Sequence, residues 1–427
     1  MRRLGRTKRT RRKKRTNKPV IDFSEEIVGL SKWMKKESKT HGFKWRSILY
    51  PANFLDTGRG MMTRETLHPG DTIVSIPQHL LITVETVLSS SIGELVKRQK
   101  LKLSSQQLLS LFLLSERNKG DNSYWHPYIA TLPMTHTTIG YFSARELTLF
   151  PQKLRKAAES RISDIKQAYF EVKDFHSGET ILYEDFLWAW FCVNSRSVFY
   201  RLARSEFVRE DGNNLALAPY LDLLNHSVEA QVDAGFNEKT GCYEIITHNS
   251  YRKCSQVFIS YGSHDNSHLL VEYGFTLPDN PNDALAVDYD VLMDAAKSLD
   301  VSYTERKQDI IQTNNLHRKL ACTVEGLSWN LLMITRILAM DWTELQNWKV
   351  VLQGGVISTR NERLSRNIAR SFLTQYIQQN QGLISKVRHD NNKSGVISTR
   401  EAEQEYRSVI PNSVLTTESG TGFQSKA

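Results

Sequence analysis

The sequence predicts an α+β fold in which short strands come first, a helical segment interrupts them, and strands then resume. Residues 71–77 follow a Pro-Gly turn and are rich in β-branched side chains, which is typical of a strand. From about residue 84 to residue 200, apolar residues recur with the helical period of about 3.6. Residues 232–246 and 256–260 return to a period of two. This order argues against a doubly wound fold, in which strands and helices alternate along the chain.

Several elements can be placed more closely. The first helix is predicted where Ser24 can cap a segment whose apolar face contains Ile27, Leu30 and Trp33. Residues 237–241 form the loop of a predicted hairpin and contain a glycine. A second helical region is predicted from three later segments with apolar residues at helical spacing: residues 310–320, 327–340 and 364–376.

The segment from residue 386 to residue 427 is polar and differs from the rest of the chain. Residues 395–400 repeat residues 355–360 identically, and this identity is too short for a solenoid repeat. We therefore expect residues 386–427 to be disordered or to be an aberrant C-terminus.

Residues 1–20 form a basic segment, with eleven Lys and Arg and no acidic residue before Pro19. Like charges at this density repel one another, so we expect disorder here. The run at residues 11–15 favours a nuclear-import signal, and the alternatives are a nucleic-acid-binding arm and a solvated tail. Since the whole chain has a formal charge of +10, the remainder is near neutral at −1. We therefore expect no direct nucleic-acid binding by the globular part.

The four cysteines are scattered, with no C-x-x-C pair. This spacing argues against a zinc ribbon and a disulfide framework, and it fits a reducing intracellular compartment. The sequence shows no apolar core of a signal peptide and no apolar run of about 20 residues that could cross a membrane. We therefore expect a protein of the nucleus and cytosol without a membrane partner.

The most informative stretch is Asp222-Leu223-Leu224-Asn225-His226-Ser227, an apolar run that ends in polar side chains. Buried polar groups need partners, so an Asn-His pair in this position suggests a built site. One alternative is the end of an element, where Asn and His cap their neighbours. Another is a glycosylation acceptor, since Asn225-His226-Ser227 fits N-x-[ST], but nothing in the sequence indicates secretion.

Two further motifs follow: "FISYGSHDN", which contains Tyr261, and "EYGF", which contains Tyr273. In this order and spacing, the three motifs resemble the C-terminal half of a SET domain of the Rubisco large-subunit methyltransferase-like group. The likeness covers roughly residues 22–380. It implies an S-adenosyl-L-methionine-dependent protein-lysine N-methyltransferase that acts as a monomer on histone or non-histone proteins.

The resemblance also implies a domain organisation. A SET β-fold would occupy residues 21–285 and would carry a helical insert at about residues 90–200. An all-helical C-terminal substrate-binding domain would occupy residues 286–385, with the polar tail after it. The interruption of the strands by helices, inferred above from periodicity, agrees with this organisation.

Lysine methylation places specific demands on a site. The amine, the methyl carbon and the donor sulfur must be collinear, and the lysine must lose its proton. A free lysine has a pKa of about 10.4, so the neutral amine costs roughly 4–5 kcal/mol near pH 7. A dry, aromatic-lined channel lowers this cost. Carbonyl and tyrosine hydroxyl oxygens can orient the methyl group through C–H···O contacts of about 0.5–1 kcal/mol each.

The resemblance assigns these tasks residue by residue. The Thr57-Gly58-Arg59-Gly60 loop would meet the methionine part of the donor through its backbone. Arg196 would touch the donor carboxylate, and its backbone would help to form the lysine channel. Tyr261 would be the catalytic tyrosine and would border the donor, and Tyr273 would be the second tyrosine of the pocket. A donor-binding trio completes the set: Asp222, Asn225 and His226.

Each of these residues also has an ordinary structural interpretation. The glycine loop alone is a common turn, Arg196 alone is a surface side chain, and a single tyrosine is more often a half-buried strand residue. His264 and His268 nearly fit the H-E-x-x-H metal motif. Because Asp265 replaces the Glu of that motif and no third ligand follows, we expect no metal.

Two other functions are compatible with these motifs. A relative of the resembled group methylates histidine, so histidine is the alternative acceptor. The chain could also be a catalytically weak SET module that binds a protein partner, although it retains Tyr261, Asn225 and His226. The width of the lysine channel, which the motifs do not specify, would set the number of methyl groups added.

Overall fold

The computed structural model describes residues 19–43, 48–175, 180–201, 205–210, 212 and 214–394. Residues 1–18 and the residues after 394 lie outside this part of the chain, so the disorder expected in both tails stays a prediction there. None of the described helices is long and apolar enough to cross a membrane.

The structure alternates between strand-rich and helical regions. The strands are numbered along the chain: β1 (Val20–Ile21), β2 (Leu49–Phe54), β3 (Gly58–Thr63), β4 (Thr72–Pro77), β5 (Ser197–Phe199), β6 (Leu215–Leu217), β7 (Asn225–His226), β8 (Val232–Asn237), β9 (Cys242–Thr247), β10 (Gln256–Ile259), β11 (Ala284–Ala286), β12 (Ala321–Thr323) and β13 (Gly326–Leu327). The α-helices are numbered in the same way: α1 (Glu25–His41), α2 (Val84–Leu88), α3 (Ser91–Arg98), α4 (Ser105–Asn118), α5 (His126–Ile129), α6 (Ala144–Leu147), α7 (Gln152–Phe170), α8 (Tyr183–Arg196), α9 (Asn266–His268), α10 (Tyr289–Lys297), α11 (Glu305–Thr313), α12 (Trp329–Ala339), α13 (Lys349–Leu352) and α14 (Thr359–Ser394). The predicted α+β class is confirmed, since helices α2 to α8 separate the strands β1–β4 from the strands β5–β10.

The chain forms two compact units. The first contains Met1–Met134 and Cys192–Tyr261, and the second contains Thr135–Phe191 and Gly262–Ala427. This division differs from the predicted domain limits at residues 285 and 385, which stay predictions.

A five-stranded sheet in the first unit has the strand order β1-β2-β3-β10-β7. β2 and β3 form an antiparallel hairpin, in which Leu49 is opposite Thr63 and Phe54 is opposite Gly58. β10 is antiparallel to β3 but parallel to β7, where Phe258 is opposite Asn225. Parallel neighbours need a long connection. The pairing therefore joins segments that are distant along the chain.

A second sheet of the first unit has the order β4-β9-β8 and contains the predicted hairpin. Asn237 is opposite Cys242 at the end of the ladder. Gly241, in the loop, has a φ of 64°, a left-handed conformation that favours glycine. Strands β5 and β6 form a separate pair, and β11-β12-β13 form a small sheet of the second unit. The expectation that residues 286–385 are all-helical is therefore wrong at β12 and β13.

Helix α1 agrees with the prediction in its apolar face but not in its cap. Ile27, Leu30 and Trp33 are buried, as the pattern predicts. Ser24 occupies the N-cap position, but its side chain makes no capping hydrogen bond. Its backbone N–H instead donates to Asp22 Oδ1 at 3.0 Å. Acidic residues in the first turn supply the favourable interaction with the helix dipole.

The core of the second unit forms around α12 and α14. Ile334 and Leu338 of α12 and Phe372 of α14 are buried in one apolar cluster. These helices correspond to the predicted segments 327–340 and 364–376.

Two predicted helix limits differ from the structure. The pattern at residues 310–320 predicts a continuous helix, whereas α11 ends within that segment and Asn315 has a φ of 53°. Asparagine is a poor helix former that tolerates left-handed backbone, which explains the early end. In contrast, α14 continues to Ser394, into the segment from residue 386 that we expect to be disordered. Residues 383–394 contain neither Gly nor Pro, so no strong helix breaker stops it.

A buried lysine connects α11 to the end of α12. Lys307 is 2% exposed, and its ammonium donates to the carbonyl oxygens of Leu338 at 2.7 Å and Ser302 at 2.9 Å. Burial, together with the positive charge of Arg360, lowers the pKa of Lys307 to about 8. The native state therefore releases this proton at a lower pH than the unfolded chain does.

We predict that Lys307 makes the free energy of unfolding rise between pH 8 and pH 10. In this window the unfolded chain holds the lysine proton and the native state does not, so raising the pH removes the penalty of burying the charge. Lys307→Met should abolish this contribution, which is at most about 3 kcal/mol. The stability of the wild type relative to the variant should therefore increase with pH.

Thermal melting of both proteins at pH 7, 8, 9 and 10 measures this difference. Lys297→Met is the matched control, because Lys297 is an exposed lysine of the same unit. A difference between wild type and Lys307→Met that stays constant over this range would contradict the prediction.

Candidate active site

The order β3-β10-β7 places three predicted motifs next to one another in the first unit. β3 begins at Gly58, inside the glycine loop. β7 is the Asn225-His226 pair, and a 3-10 turn at Leu221–Leu223 leads into it. β10 ends at Ile259, two residues before Tyr261. The pairing of these strands therefore determines how the motifs meet.

Asn225 connects β7 to the glycine loop. Its Nδ2 donates to the carbonyl oxygen of Arg59 at 2.9 Å and lies 3.4 Å from the carbonyl oxygen of Thr57. Gly58, between these two carbonyls, has a φ of 66°, which residues with a Cβ rarely adopt. The shape of the loop thus depends on a glycine and on one side-chain amide.

Tyr261 is anchored on the segment that contains His226. The two rings are stacked, with centroids 5.2 Å apart and planes at 27°. The backbone N–H of Tyr261 donates to Nδ1 of His226 at 3.0 Å, so a neutral ring carries its proton on Nε2. The hydroxyl of Tyr261 donates to the carbonyl oxygen of Leu224 at 2.7 Å. Both the backbone and the side chain of Tyr261 are therefore held in place.

A buried ion pair between Asp222 and Arg196 lies at the start of the motif that contains Asn225 and His226. The Asp222 side chain is 1% exposed. Its Oδ2 accepts hydrogen bonds from Arg196 Nη1 at 3.2 Å and from the Tyr128 hydroxyl at 3.0 Å. Arg196 Nη1 also donates to the Asp222 carbonyl oxygen at 3.2 Å. Asp222, predicted as a donor-binding residue, is thus directed at Arg196 and Tyr128.

The protonation states of this cluster follow from burial and charge. Burial raises the pKa of Asp222, against the opposing effect of the Arg196 charge. Burial disfavours the charged form of Arg196, but the negative charge of Asp222, together with the smaller effects of Tyr128, Cys192 and Tyr261, raises the pKa of Arg196. Burial and the Asp222 charge raise the pKa of Tyr128 well above its usual value. Tyr128 therefore stays protonated and acts as a hydrogen-bond donor to the carboxylate.

The side chain of Arg59 makes structural contacts. Its Nε donates to Asp22 Oδ2 at 3.0 Å, and its Nη1 donates to the carbonyl oxygen of Thr131 at 3.2 Å. Burial would raise the pKa of Asp22, but hydrogen bonds from Ser24 and the interaction with Arg59 lower it below its usual value. The loop is therefore tied to the segment between β1 and α1.

Tyr273 belongs to the second unit and ends a π-helical turn at Leu269–Tyr273. Such turns are rare and occur frequently at functional sites. Burial raises the pKa of Tyr273, so its hydroxyl stays protonated at neutral pH. The next residue, Gly274, has a φ of 80°, and its carbonyl oxygen accepts a hydrogen bond from Thr137 Oγ1 at 2.7 Å. A Cβ at position 274 would lie 2.6 Å from Thr137 Oγ1, so this position requires glycine.

Helix α7 contacts the π-helical turn that ends at Tyr273. Arg161 of α7 donates to Glu272 Oε2 at 2.8 Å, and its guanidinium lies 5.7 Å from the centre of the Trp190 ring. The predicted helical insert therefore contributes a direct contact to the residue before Tyr273.

The His264 and His268 rings are stacked, with centroids 4.1 Å apart. Burial, together with the nearby His264, lowers the pKa of His268. Within the part of the chain that the structure describes, no group of three His, Cys, Asp or Glu residues is arranged to hold a metal ion.

Comparisons with known proteins add an independent observation. The SET domain family model matches residues 58–262, and the Rubisco LSMT substrate-binding model matches residues 300–393. SET domain-containing protein 4 of Mus musculus is 35% identical over 413 residues, which covers 93% of this chain and 92% of the mouse protein. The chain belongs to the SET-domain protein family. The resemblance inferred from the motifs is thereby confirmed.

More distant similarities extend this result. Actin-histidine N-methyltransferase of Danio rerio is 26% identical over 321 residues, which is 70% of this chain and 51% of that protein. Two solved structures, the SET domain of LSMT bound to lysine and AdoHcy and Rubisco LSMT bound to AdoMet, are each 20% identical to this chain in sequence and superpose on it with a TM-score of 0.59. They cover 93% and 92% of this chain and 90% of theirs. The predicted SET fold with an LSMT-like C-terminal domain is confirmed.

Two supporting contacts of the SET domain were absent from the sequence prediction. Tyr128 is 94 positions from Asp222, and Asp22 is 37 positions from Arg59, so no local motif contains either pair. The available signal was that Tyr128 lies in an apolar stretch, where a buried tyrosine hydroxyl needs a partner.

We predict that Tyr128→Phe destabilises the SET domain by about 1–3 kcal/mol at pH 7, because it removes a hydrogen bond from a buried carboxylate. Burial raises the pKa of Asp222, so the native state holds a proton on Asp222 up to a higher pH than the unfolded chain does. Stability is therefore lost as the pH rises through that pKa, and the loss should be larger without the Tyr128 hydroxyl. The destabilisation should thus be greater at pH 7 than at pH 4.

Urea unfolding of wild type and variant at both pH values measures the effect. Tyr243→Phe is the matched control, since Tyr243 is also buried in the first unit and burial alone raises its pKa to about 12. Equal destabilisation by the two variants, or no change between pH 4 and pH 7, would contradict the assigned role of Tyr128.

Proposed function

We propose that this SET-domain protein is an S-adenosyl-L-methionine-dependent protein-lysine N-methyltransferase. The anchoring of Tyr261 carries the proposal, since its hydroxyl is held 2.7 Å from the Leu224 carbonyl oxygen, beside the Asn225-His226 strand. The LSMT structures with the same fold hold lysine with AdoHcy, or AdoMet. The molecules bound in these structures support AdoMet as the methyl donor and lysine as the acceptor proposed here.

The first unit has groups that fit this donor. Arg196 uses Nη1 for both of its bonds to Asp222, while its Nε is buried without a partner among the described residues. A guanidinium with unused donors suits a carboxylate such as that of the methionine part. The glycine loop permits close approach to its backbone. We assign donor binding to the Thr57–Gly60 loop, Arg196, Asn225 and His226, with Asp222 holding Arg196.

When bound, the donor supplies an electrophilic methyl group on a positively charged sulfur. The Tyr261 hydroxyl and the Leu224 carbonyl place two partially negative oxygens side by side. Because the hydroxyl donates its hydrogen to Leu224, its oxygen acts toward other groups only as an acceptor, as C–H···O contacts with a methyl group require. We therefore assign the orientation of the methyl group to Tyr261.

We predict that Tyr261→Phe lowers the single-turnover rate of methyl transfer at least about tenfold, since each decade corresponds to about 1.4 kcal/mol. The donor dissociation constant should change less than about threefold, because the hydroxyl acts mainly in the transition state. Rapid-quench transfer and calorimetric donor binding provide the two readouts.

Tyr251→Phe is the matched control, because the Tyr251 hydroxyl also contacts a backbone carbonyl oxygen. That oxygen belongs to Phe258 of β10 and lies 3.4 Å away. Full transfer activity in Tyr261→Phe would remove Tyr261 from the mechanism. A large loss of donor affinity in that variant would make Tyr261 a support of the donor pocket.

Histidine is the second candidate acceptor, because the Danio rerio relative is named as an actin-histidine N-methyltransferase. Incubation with labelled donor, histones and cell extract, followed by mass spectrometry of the labelled residue, separates the candidates. Label on lysine supports the proposal, and label on histidine replaces the acceptor but keeps the enzyme class. Donor binding without any transfer would favour a catalytically weak SET module that binds a protein partner.

We further propose that the protein divides between nucleus and cytosol, because residues 1–18 carry eleven Lys and Arg. Deleting residues 2–18 should shift a fluorescent fusion toward the cytoplasm. A fusion with these lysines and arginines replaced by glutamine controls for the length of the segment. An unchanged distribution in both variants would rule out this role of the segment.

A further inference from the structure

Gln256, at the start of β10, contacts the glycine loop from the neighbouring strand. It is opposite Met62 of β3 in the antiparallel ladder. Its Oε1 accepts a hydrogen bond from Thr57 Oγ1 at 2.8 Å. One half of this carboxamide is thus directed at the first residue of the loop.

The other half of the carboxamide has no such partner. Nε2 of Gln256 is buried and makes no hydrogen bond to any described residue. A buried amide N–H without an acceptor destabilises the folded state, because it has lost its hydrogen bonds to water. Buried polar groups of this kind are normally satisfied, so the site calls for an acceptor that the chain itself does not provide.

Gly60 shows where this amide points. A Cβ at position 60 would lie 2.5 Å from Gln256 Nε2 and 2.9 Å from Asn225 Nδ2. Since real Cβ atoms do not approach so closely, the two amides occupy the space that any side chain at position 60 would need. Asn225 Nδ2 already donates to the Arg59 carbonyl, whereas Gln256 Nε2 lies against the loop with its hydrogens unused.

We propose that Gln256 is a further donor-binding residue, whose Nε2 donates a hydrogen bond to an oxygen of the bound methyl donor at the glycine loop. This inference rests on the proposed function. It explains why position 60 is a glycine, because a side chain there would occupy the space in which both amides pack against the loop. The two amides differ in their contacts, since Asn225 Nδ2 also holds the loop through the Arg59 carbonyl and Gln256 Nε2 is left for the ligand.

Two variants of Gln256 separate ligand binding from loop support. Gln256→Met removes both the acceptor for Thr57 and the N–H donor. Gln256→Glu is nearly isosteric and can still accept from Thr57, but it has no N–H to give. Gln78→Met is the control, because Gln78 is an exposed amide of the same unit that donates to the Tyr200 hydroxyl.

Calorimetry with S-adenosyl-L-methionine and with S-adenosylhomocysteine measures the outcome. We expect both Gln256 variants to bind each ligand about tenfold more weakly, as one lost hydrogen bond predicts, and Gln78→Met to bind as the wild type does. Circular dichroism and melting of each variant, without ligand, establish that it is folded.

Three results would overturn the inference. Wild-type affinity in both Gln256 variants would exclude any contribution of the amide. Weak binding by Gln256→Met with normal binding by Gln256→Glu would make Gln256 a support for Thr57 only. If the wild type binds neither ligand, that result contradicts the proposed function itself, and the inference about Gln256 falls with it.

Discussion

The parallel pairing of β7 with β10 is the constraint on which the candidate site depends. It sets Asn225 opposite Phe258 and His226 opposite Ile259, although these segments are far apart in the chain. With that register, Tyr261 reaches Nδ1 of His226 with its backbone and the Leu224 carbonyl with its hydroxyl. A shift by one residue would turn every side chain of the short β7 strand to the opposite face.

The second constraint is a buried charge that must be compensated. Asp222 has an almost fully buried carboxylate, and Arg196 and Tyr128 share one of its oxygens. Removing one member of such a cluster leaves a charge without its partner, which is more costly than the cluster is stabilising. The guanidinium of Arg196 is consequently held by its own cluster, so the donor-binding role proposed for it would cost little conformational entropy.

The residues that form local motifs could be predicted from the sequence, and the residues that support them could not. The specific spacing of Asn225, His226 and Tyr261 predicts that they lie together, as the structure shows for His226 and Tyr261, and the two changes of apolar period predict the α+β class. Tyr128 and Gln256 were missed because their partners are distant in sequence and the contact depends on the fold. The Ser24 cap was wrongly predicted because a side chain in the N-cap position need not turn toward the helix.

The contact between Arg59 and Asp22 shows that the structure of the SET region extends beyond the residues that the family match covers. The family match starts at residue 58, at the first residue of β3. A polypeptide trimmed to that limit would lose β2, the hairpin partner of β3, and would leave the Arg59 guanidinium without its carboxylate. The structured SET region therefore begins before residue 58, at the short strand β1, which follows the basic segment and pairs with β2.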